Sequence, residues 1–193
     1  TTASATSRWQ RKFSTRKPPA EPDSAMNVVL VRVDNRLIHG QILEAWVPFL
    51  QAEGIVVADD GVASDFFRET VIRMAVPREI EVTICSVADL PKSLSGERTD
   101  GPKTIVLFGD VGAAARAHRA GFRFDRLNLG NIYSEECVVH CTPSVQLDRR
   151  ELEDVLSLLR AGVVIDLKRV PTDNPPDLRS ILQKAPSGEE NRL

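Results

Sequence analysis

The sequence predicts a three-layer α/β/α fold with a mostly parallel central sheet of about six to seven strands. From Asn27 onward, short apolar runs alternate with helical patterns, which is typical of a largely parallel sheet. The first run, Val28–Val33, is too apolar on both faces for an edge strand. The chain has 193 residues, of which 42% are hydrophobic, and this is enough for one domain with such a core.

The first half of the chain predicts three strands, each followed by a helix. The strands are Val28–Val33, Ile55–Ala58 and Glu81–Val87, and the helices are Ile38–Leu50, Asp65–Ala75 and a weaker one near Val87–Leu94. Pro48 is expected to end or kink the first helix, because proline cannot donate the helical hydrogen bond. In the second helix, Phe66, Val71 and Met74 are expected to face the core.

The second half predicts further strands and two helices with clear capping residues. The strands are Thr104–Phe108, Arg126–Leu129, a sixth element at Ser144–Leu147 and a last strand at Val163–Val170. Asp110 precedes an Ala-rich helix over 111–120, and Asp148 is expected to cap the helix Arg149–Arg160. Gly162 is expected to stop that helix.

The two ends of the chain differ from the domain, which is expected to span 26–173. Residues 1–25 carry five Lys or Arg and two acidic residues, and this composition favours a disordered basic extension. A basic, hydroxyl-rich leader is also typical of a transit peptide, but an unstructured extension before Met26 is the favoured interpretation. Residues 174–193 are expected to form a polar C-terminal tail.

Composition and charge argue against several classes of protein. The formal net charge of −2 gives no general attraction to nucleic acid or anionic lipid. The apolar runs are well short of the about 20 residues that a membrane span needs. The three cysteines are an odd and sparse set, which indicates a reduced cytoplasmic protein rather than a disulfide framework. Cys137, His140 and Cys141 lack a fourth ligand at a spacing suited to zinc, so neither a metal nor a cofactor is predicted.

The densest group of candidate functional residues follows the first strand. The segment "VLVRVDNRLIHGQILEAW" places Arg32, Asp34, Asn35, Arg36 and His39 within eight positions. In an open parallel sheet, ligands bind beyond the carboxyl ends of the strands. The helix that follows directs unpaired N–H groups and the positive end of its dipole toward this loop, which suits an anion. The segment therefore predicts a phosphate site.

The residues of this loop have predicted roles in phosphoryl chemistry. Histidine titrates near pH ~6.5, so His39 offers a neutral ring nitrogen as the nucleophile. Arg36 lies three residues earlier and can pair with phosphoryl oxygens through its planar guanidinium. Asp34 can orient the imidazole or hold Arg36. The remaining predicted phosphate and partner contacts of the loop are Arg32, Asn35, Gly40 and Gln41, with Gly40 leaving room for close approach.

Each of these residues alone has an ordinary alternative, as a helix cap, a solvated charge or a turn residue, whereas their ordered combination is specific. The segment "VRVDNRLIHGQ" closely resembles the signature R-[IV]-D-[DN]-R-L-[IL]-H-G-Q of IIB components of the sugar phosphotransferase system, in the mannose/fructose/sorbose family. The segments "LFGD", "LNLGN" and "RRELEDVLSLLRAGVVIDLKRVPTD" extend the resemblance over most of 26–173.

The resemblance implies that His39 is phosphorylated, at Nδ1 of its ring, and that Arg36 stabilises the phosphoryl group. The group would come from a histidine of a IIA protein or domain and pass to a sugar bound to a membrane IIC/IID permease. The chain would then be a cytoplasmic phosphotransferase, peripherally associated with that permease. Close relatives usually have a Gly-Gly pair where this chain has Gly130–Asn131. This second loop is expected to face the His39 loop, and its candidate contacts are Asn128, Gly130 and Ser134.

Two other functions are weighed against this one. A regulatory protein of the same origin would report its phosphorylation state to a partner instead of passing the group to sugar. A nucleotide-binding α/β protein is disfavoured because neither G-x-G-x-x-G nor G-x-x-x-x-G-K-[ST] follows a strand. His118, expected on a solvated helix face, and His140, in an irregular stretch, are not expected to be catalytic. The sequence leaves the sugar and the oligomeric state open, a homodimer included.

Overall fold

A single parallel sheet forms the centre of the molecule in the computed structural model, which describes residues 26–94 and 101–184. Its six strands lie in the order β3-β2-β4-β1-β5-β8. They are β1 (Asn27–Asp34), β2 (Gly54–Ala58), β3 (Glu81–Cys85), β4 (Lys103–Phe108), β5 (Arg126–Asn131) and β8 (Val164–Asp166). A separate antiparallel hairpin pairs β6 (Val139–Thr142) with β7 (Val145–Leu147). The predicted fold class is confirmed.

Helices cover both faces of this sheet. They are α1 (Val47–Leu50), α2 (Asp60–Ala63), α3 (Phe66–Ala75), α4 (Leu90–Ser93), α5 (Val111–Arg119), α6 (Arg149–Arg160) and α7 (Leu178–Lys184). Alternate residues of the inner strands enter two apolar clusters, because successive side chains of a strand point to opposite faces. In β4, Val106 and Phe108 pack on the side of α5 and α6, whereas Ile105 and Leu107 pack on the side of α1 and α2. This two-sided burial explains why the inner strands are mostly apolar.

The predicted N-terminal caps of α5 and α6 are confirmed. The side chain of Asp110 accepts a hydrogen bond from the backbone N–H of Ala113 at the start of α5. Asp148 and Glu151 form a reciprocal capping box at the start of α6. Gly162 follows the end of α6 with φ +92°, a conformation that glycine adopts without strain.

The prediction that Pro48 ends or kinks the helix after β1 is wrong in position. A π-helical segment, Gln41–Trp46, precedes α1, and the helix ends only at Gln51, which has φ +55°. Pro48 is the second residue of α1, and in this first turn its missing N–H is tolerated. The irregularity therefore occurs one turn before the proline, as a local π-bulge of the kind that often lies near functional sites.

The predicted inward face of α3 is also wrong. Phe66, Val71 and Met74 are 84%, 50% and 81% exposed, and Ile72 is the residue of α3 that packs on the apolar cluster beneath. The helix is stabilised locally instead, because Asp65 caps its first turn and Glu69 pairs with Arg73 along its surface.

Three further expectations need correction. The last strand is three residues long rather than Val163–Val170, because the chain leaves the sheet after Asp166. The expected polar tail contains α7, whose Leu178 is 1% exposed and packs in the main core. His118 is 7% exposed, because its ring packs edge-on against Phe124 and its Nδ1 accepts a hydrogen bond from Arg123. The extension 1–25 lies outside the described residues.

The stretch around His140, expected to be irregular, contains β6. His140 is exposed on this strand and Cys141 is buried beside it. Burial raises the pKa of the Cys141 thiol to about 11, and neighbouring Cys137 adds to the shift. Among the described residues, no helix combines the length and apolar character that a membrane span requires.

Candidate functional site

The loop after β1 lies at the point in the sheet where the connections from two neighbouring strands run in opposite directions. The chain leaves β1 toward β2 on one side of the sheet and leaves β5, the neighbour of β1, toward β8 on the other. Diverging connections of adjacent parallel strands open a crevice beyond their carboxyl ends, where ligands of α/β proteins bind. The predicted residues of the His39 loop lie at this crevice.

Asp34, the last residue of β1, is the centre of the site. Its carboxylate is fully buried and accepts a hydrogen bond from Arg32 Nη2 at 2.9 Å. Its other oxygen accepts from the backbone N–H of Arg36 at 3.2 Å and from Arg36 Nε at 3.3 Å. Arg36 also donates from Nη2 to Gln41 Oε1 at 2.9 Å, yet its side chain is 43% exposed. One edge of the Arg36 guanidinium is therefore fixed while the rest faces solvent.

The ring of His39 is held between the backbone and Asp34. Leu37 adopts the left-handed conformation, with φ +53°, and its carbonyl accepts a hydrogen bond from His39 Nδ1 at 2.9 Å. On the other side, His39 Nε2 lies 3.6 Å from Asp34 Oδ2 and 3.4 Å from Gln41 Oε1. The side chain is 16% exposed. Since a carbonyl oxygen can only accept, Nδ1 carries the proton in this arrangement.

The two orientations of the ring proton have different consequences. With the proton on Nδ1, the lone pair of Nε2 faces two acceptor oxygens, which is unfavourable. With the proton on Nε2, Asp34 and Gln41 accept it, and the lone pair of Nδ1 becomes free once the ring turns away from the carbonyl of Leu37. The contacts of the site therefore favour the proton on Nε2 and attack by Nδ1.

The placement of Arg32 differs from the prediction. It lies within β1, not in the surface loop, and its side chain is 0% exposed. The guanidinium donates to Asn128 Oδ1 and to the backbone carbonyls of Lys168 and Arg169, and it lies over the ring of Trp46 at 5.5 Å. Burial lowers the pKa of Arg32, and the neighbouring Asp34 opposes that shift. Arg32 thus fixes Asp34 from within and does not reach the surface.

Two other predicted contacts belong to the same buried group. Asn128 lies opposite Arg32 on the neighbouring strand β5 and is 1% exposed. A Cβ on Gly130 would overlap the Arg32 guanidinium, so this glycine is required by the close approach of a side chain rather than by phosphate. In this structure neither residue is exposed to a ligand in the crevice.

The remaining predicted residues lie on the surface of the site. Asn35 donates from its backbone N–H to the carbonyl of Asn131 at 3.0 Å, so the loops after β1 and β5 face each other as expected. Gly40 has an ordinary helical φ of −50°, and a Cβ there would meet nothing nearer than Glu44 at 3.8 Å. The fold itself therefore does not require glycine at position 40. Ser134 is half-buried in the loop before β6, and none of the contacts among the described residues places it at the His39 ring.

A groove of about 540 Å³ lies beside Arg36 and Gln41, and Gln41 Oε1 in turn lies 3.4 Å from His39 Nε2. The groove brings in residues that the sequence did not indicate. Arg36, Gln41 and Asn131 line its near side. Its other lining residues come from the β6–β7 turn and from the segment after β8, and they include Thr142, Ser144, Arg169 and Asp173. These segments are distant in sequence and have no motif of their own, so only the "KRVPTD" part of the family resemblance pointed toward them.

Comparison with known proteins identifies the family. A family model described as "PTS system sorbose subfamily IIB component" matches residues 28–192. The chain belongs to this family of phosphotransferase system (PTS) IIB components. It is 30% identical over 158 residues to the PTS system fructose-specific EIIB component of Bacillus subtilis (strain 168), covering 82% of this chain and 97% of that protein. It is 24% identical over 166 residues to the PTS system mannose-specific EIIAB component of Escherichia coli (strain K12), covering 86% of this chain and 51% of that protein.

A solved structure supports the same assignment. The IIBSor domain of the sorbose permease from Klebsiella pneumoniae has a TM-score of 0.73 and 26% sequence identity, and the match covers 82% of this chain and 97% of that chain. The resemblance found in the His39 loop is thereby confirmed at the level of the family. PTS IIB components are phosphotransferases, so the protein has a phosphoryl-transfer role in a sugar phosphotransferase system.

Proposed function

We propose that His39 of this IIB component accepts a phosphoryl group from a phosphohistidine of a IIA protein or domain and passes it to a sugar bound to a membrane IIC/IID permease. The observation that carries the proposal is the partly exposed His39 ring, which lies beside the fixed Arg36 guanidinium and contacts Asp34 on its Nε2 side. The mannose-specific EIIAB relative, whose name joins the A and B components, supports a IIA partner.

The transfer step requires little covalent chemistry from the protein. The lone pair of one His39 ring nitrogen forms a bond to phosphorus while the donor's N–P bond breaks, and that electron pair returns to the donor imidazole. The other His39 nitrogen keeps its proton throughout. The transition state is loose and anionic, so catalysis depends on positioning and on fixed positive charge. Arg36 supplies that charge from a guanidinium already oriented by Asp34 and Gln41.

Asp34 has a positioning role in this scheme. For attack by Nδ1, the nitrogen that the family resemblance implies, the ring proton must lie on Nε2. Asp34 Oδ2 and Gln41 Oε1 lie 3.6 and 3.4 Å from that nitrogen and can accept its hydrogen bond. The ring must also release the carbonyl of Leu37, to which Nδ1 is bonded here.

Labelling tests the proposal. The protein is incubated with phosphoenolpyruvate, the general phosphotransfer proteins and a IIA partner, and incorporated label is measured. His39→Ala is expected to abolish labelling, whereas His140→Ala, which alters an exposed histidine on β6, serves as the matched control and should label normally. The label should be lost in acid and retained in base, as for a phosphoimidazole. Wild-type labelling of His39→Ala, or an acid-stable label, would overturn the proposal.

The second half of the reaction separates sugar transport from regulation. Membranes that contain a IIC/IID permease are added to the labelled protein with and without sugar. Loss of label that depends on sugar supports the carrier. A stable label under these conditions contradicts transfer to sugar and favours the regulatory alternative, in which phosphorylation itself is the signal.

A further inference from the structure

Arg169, in the segment after β8, contributes a second cation to the groove that Arg36 and the His39 neighbour Gln41 line. It lines the groove together with Arg36, Gln41 and Asn131. In the sheet, β1 and β8 lie on either side of β5. The loops that carry Arg36 and Arg169 therefore approach the carboxyl end of β5 from its two sides, about two strand spacings or ~10 Å apart. Neither the loop motif nor its spacing indicated Arg169.

The backbone of Arg169 is held in place by the buried part of the site. Its carbonyl accepts hydrogen bonds from Arg32 Nη2 at 3.2 Å and from Trp46 Nε1 at 3.1 Å. Its N–H donates to Asp173 Oδ2 at 3.0 Å. The same Arg32 nitrogen lies 2.9 Å from Asp34, whose Oδ2 lies 3.6 Å from the His39 ring. A short chain of contacts thus fixes the origin of the Arg169 side chain relative to His39.

The guanidinium of Arg169 has no comparable restraint. Its side chain is 55% exposed, and its one contact among the described residues is Nε at 4.0 Å from Asp173 Oδ2. That oxygen already accepts the backbone N–H groups of Arg169 and Val170 at 3.0 and 3.1 Å. Since an ion pair of this length at the surface contributes little, the guanidinium is free to turn toward an anion in the groove.

The charge of the site leaves room for such a cation. The group formed by Arg32, Asp34 and Arg36 carries a formal charge of +1, because the buried carboxylate neutralises one guanidinium. A phosphoryl group at neutral pH brings about −1.5 to −2. Arg36 alone therefore leaves part of the added charge unbalanced, because Asn131, Thr142 and Ser144 of the same groove are neutral and Asp173 is acidic.

We infer that Arg169 is a second phosphoryl-binding residue, which turns from Asp173 to the phosphoryl group of His39 when that group is present. This inference rests on the proposed function and extends it. Because the Arg169 side chain is exposed and weakly held, it adds charge to the phosphorylated state without closing the site. Such a contact suits a carrier that must release the phosphoryl group again.

The test compares Arg169→Gln with Arg169→Lys and with a matched control. Arg126 is an exposed arginine at the start of β5. It therefore lies at the amino ends of the strands, and Arg126→Gln removes one positive charge far from His39. Arg169→Gln is expected to slow labelling of His39 about tenfold, less than loss of a fully fixed donor. The lysine variant should recover most of the rate, and the control should match the wild type.

A second measurement distinguishes phosphoryl binding from a merely structural role. In a ³¹P NMR titration of the phosphorylated protein, loss of a contacting cation should raise the pH midpoint at which the phosphoryl group loses its last proton. Arg169→Gln should show this upward shift, and Arg126→Gln should not. The inference is overturned if wild type labels normally at His39 but Arg169→Gln matches Arg126→Gln in rate or in midpoint. If wild type takes no label at His39, the proposed function fails first.

Discussion

Replacing Gly130 with alanine tests whether the buried Arg32–Asp34 pair stabilises the functional loop. The added methyl group would occupy the position of the Arg32 guanidinium, so that group must leave its site. Its departure breaks the 2.9 Å contact with Asp34 and the bonds to the carbonyls of Lys168 and Arg169 at 3.0 and 3.2 Å. Asp34 then stays buried without its closest counter-charge.

The expected cost follows from the burial of both partners, each 0% exposed. Breaking one side of a buried ion pair destabilises proteins by about 3–5 kcal/mol, and the lower figure applies here because Arg36 still donates to Asp34. A loss of about 3 kcal/mol corresponds to a melting temperature about 6–12 °C lower for a domain of this size. Urea unfolding followed by far-UV circular dichroism, together with a thermal melt, measures both quantities.

Gly40→Ala is the matched control for this change. Position 40 is exposed, helical and open, and the nearest atom to an added Cβ is 3.8 Å away. The control should lie within about 0.5 kcal/mol of the wild type, as expected for an exposed position with room for the added methyl group. The opposite outcome is that Gly130→Ala unfolds at the same urea concentration and temperature as Gly40→Ala and the wild type. In that case the Arg32 side chain moves without a loss of stability, and the structural role assigned to the buried pair is refuted.

Three further predictions concern the reaction and the core. Arg36→Ala should slow phosphoryl transfer roughly 10²-fold, the effect of losing one transition-state donor, and an unchanged rate of labelling would remove its assigned role. Leu178→Ala should lower the free energy of unfolding by about 2–5 kcal/mol, because this α7 residue is 1% exposed. Urea titration measures the change. A variant as stable as the wild type would show that the packing of α7 does not stabilise the fold. Burial and the charge of Arg123 lower the pKa of His118, so the unfolded chain binds this proton more readily and stability falls as pH drops below about 6.5. The melting temperature of His118→Gln should therefore fall less between about pH 7.5 and 5 than that of the wild type. An equal fall in both proteins would assign the acid sensitivity to other groups.

Local signals in the sequence were sufficient for the inner strands of the sheet and for the ends of α5 and α6. The strands of the sheet interior are buried on both faces, so they are recognisable as continuous apolar runs without knowledge of their partners. Asp110 and Asp148 cap the helices that follow them through contacts only three residues long. Features of this kind depend on neighbouring residues and are therefore predictable from a single chain.

The missed features depend on distant residues. Arg32 looked like a loop charge, although its position two residues before Asp34 places both side chains on one face of β1, and this spacing was a usable signal for a buried pair. The exposed face of α3 could not be foreseen, because its pattern of apolar residues is that of a buried helix. The groove residues come from the β6–β7 turn and the segment after β8, and only the tertiary fold brings them together beside Arg36 and Gln41.

The position of Trp46 has a practical consequence. Its indole lies against the Arg32 guanidinium and donates to the carbonyl of Arg169. It therefore contacts both the buried arginine of β1 and the backbone of a groove residue. The chain has two tryptophans, Trp9 and Trp46, and replacing Trp9 would leave one fluorophore beside the reacting loop. The emission of that indole would then report whether phosphorylation changes the surroundings of Arg32, without any added label.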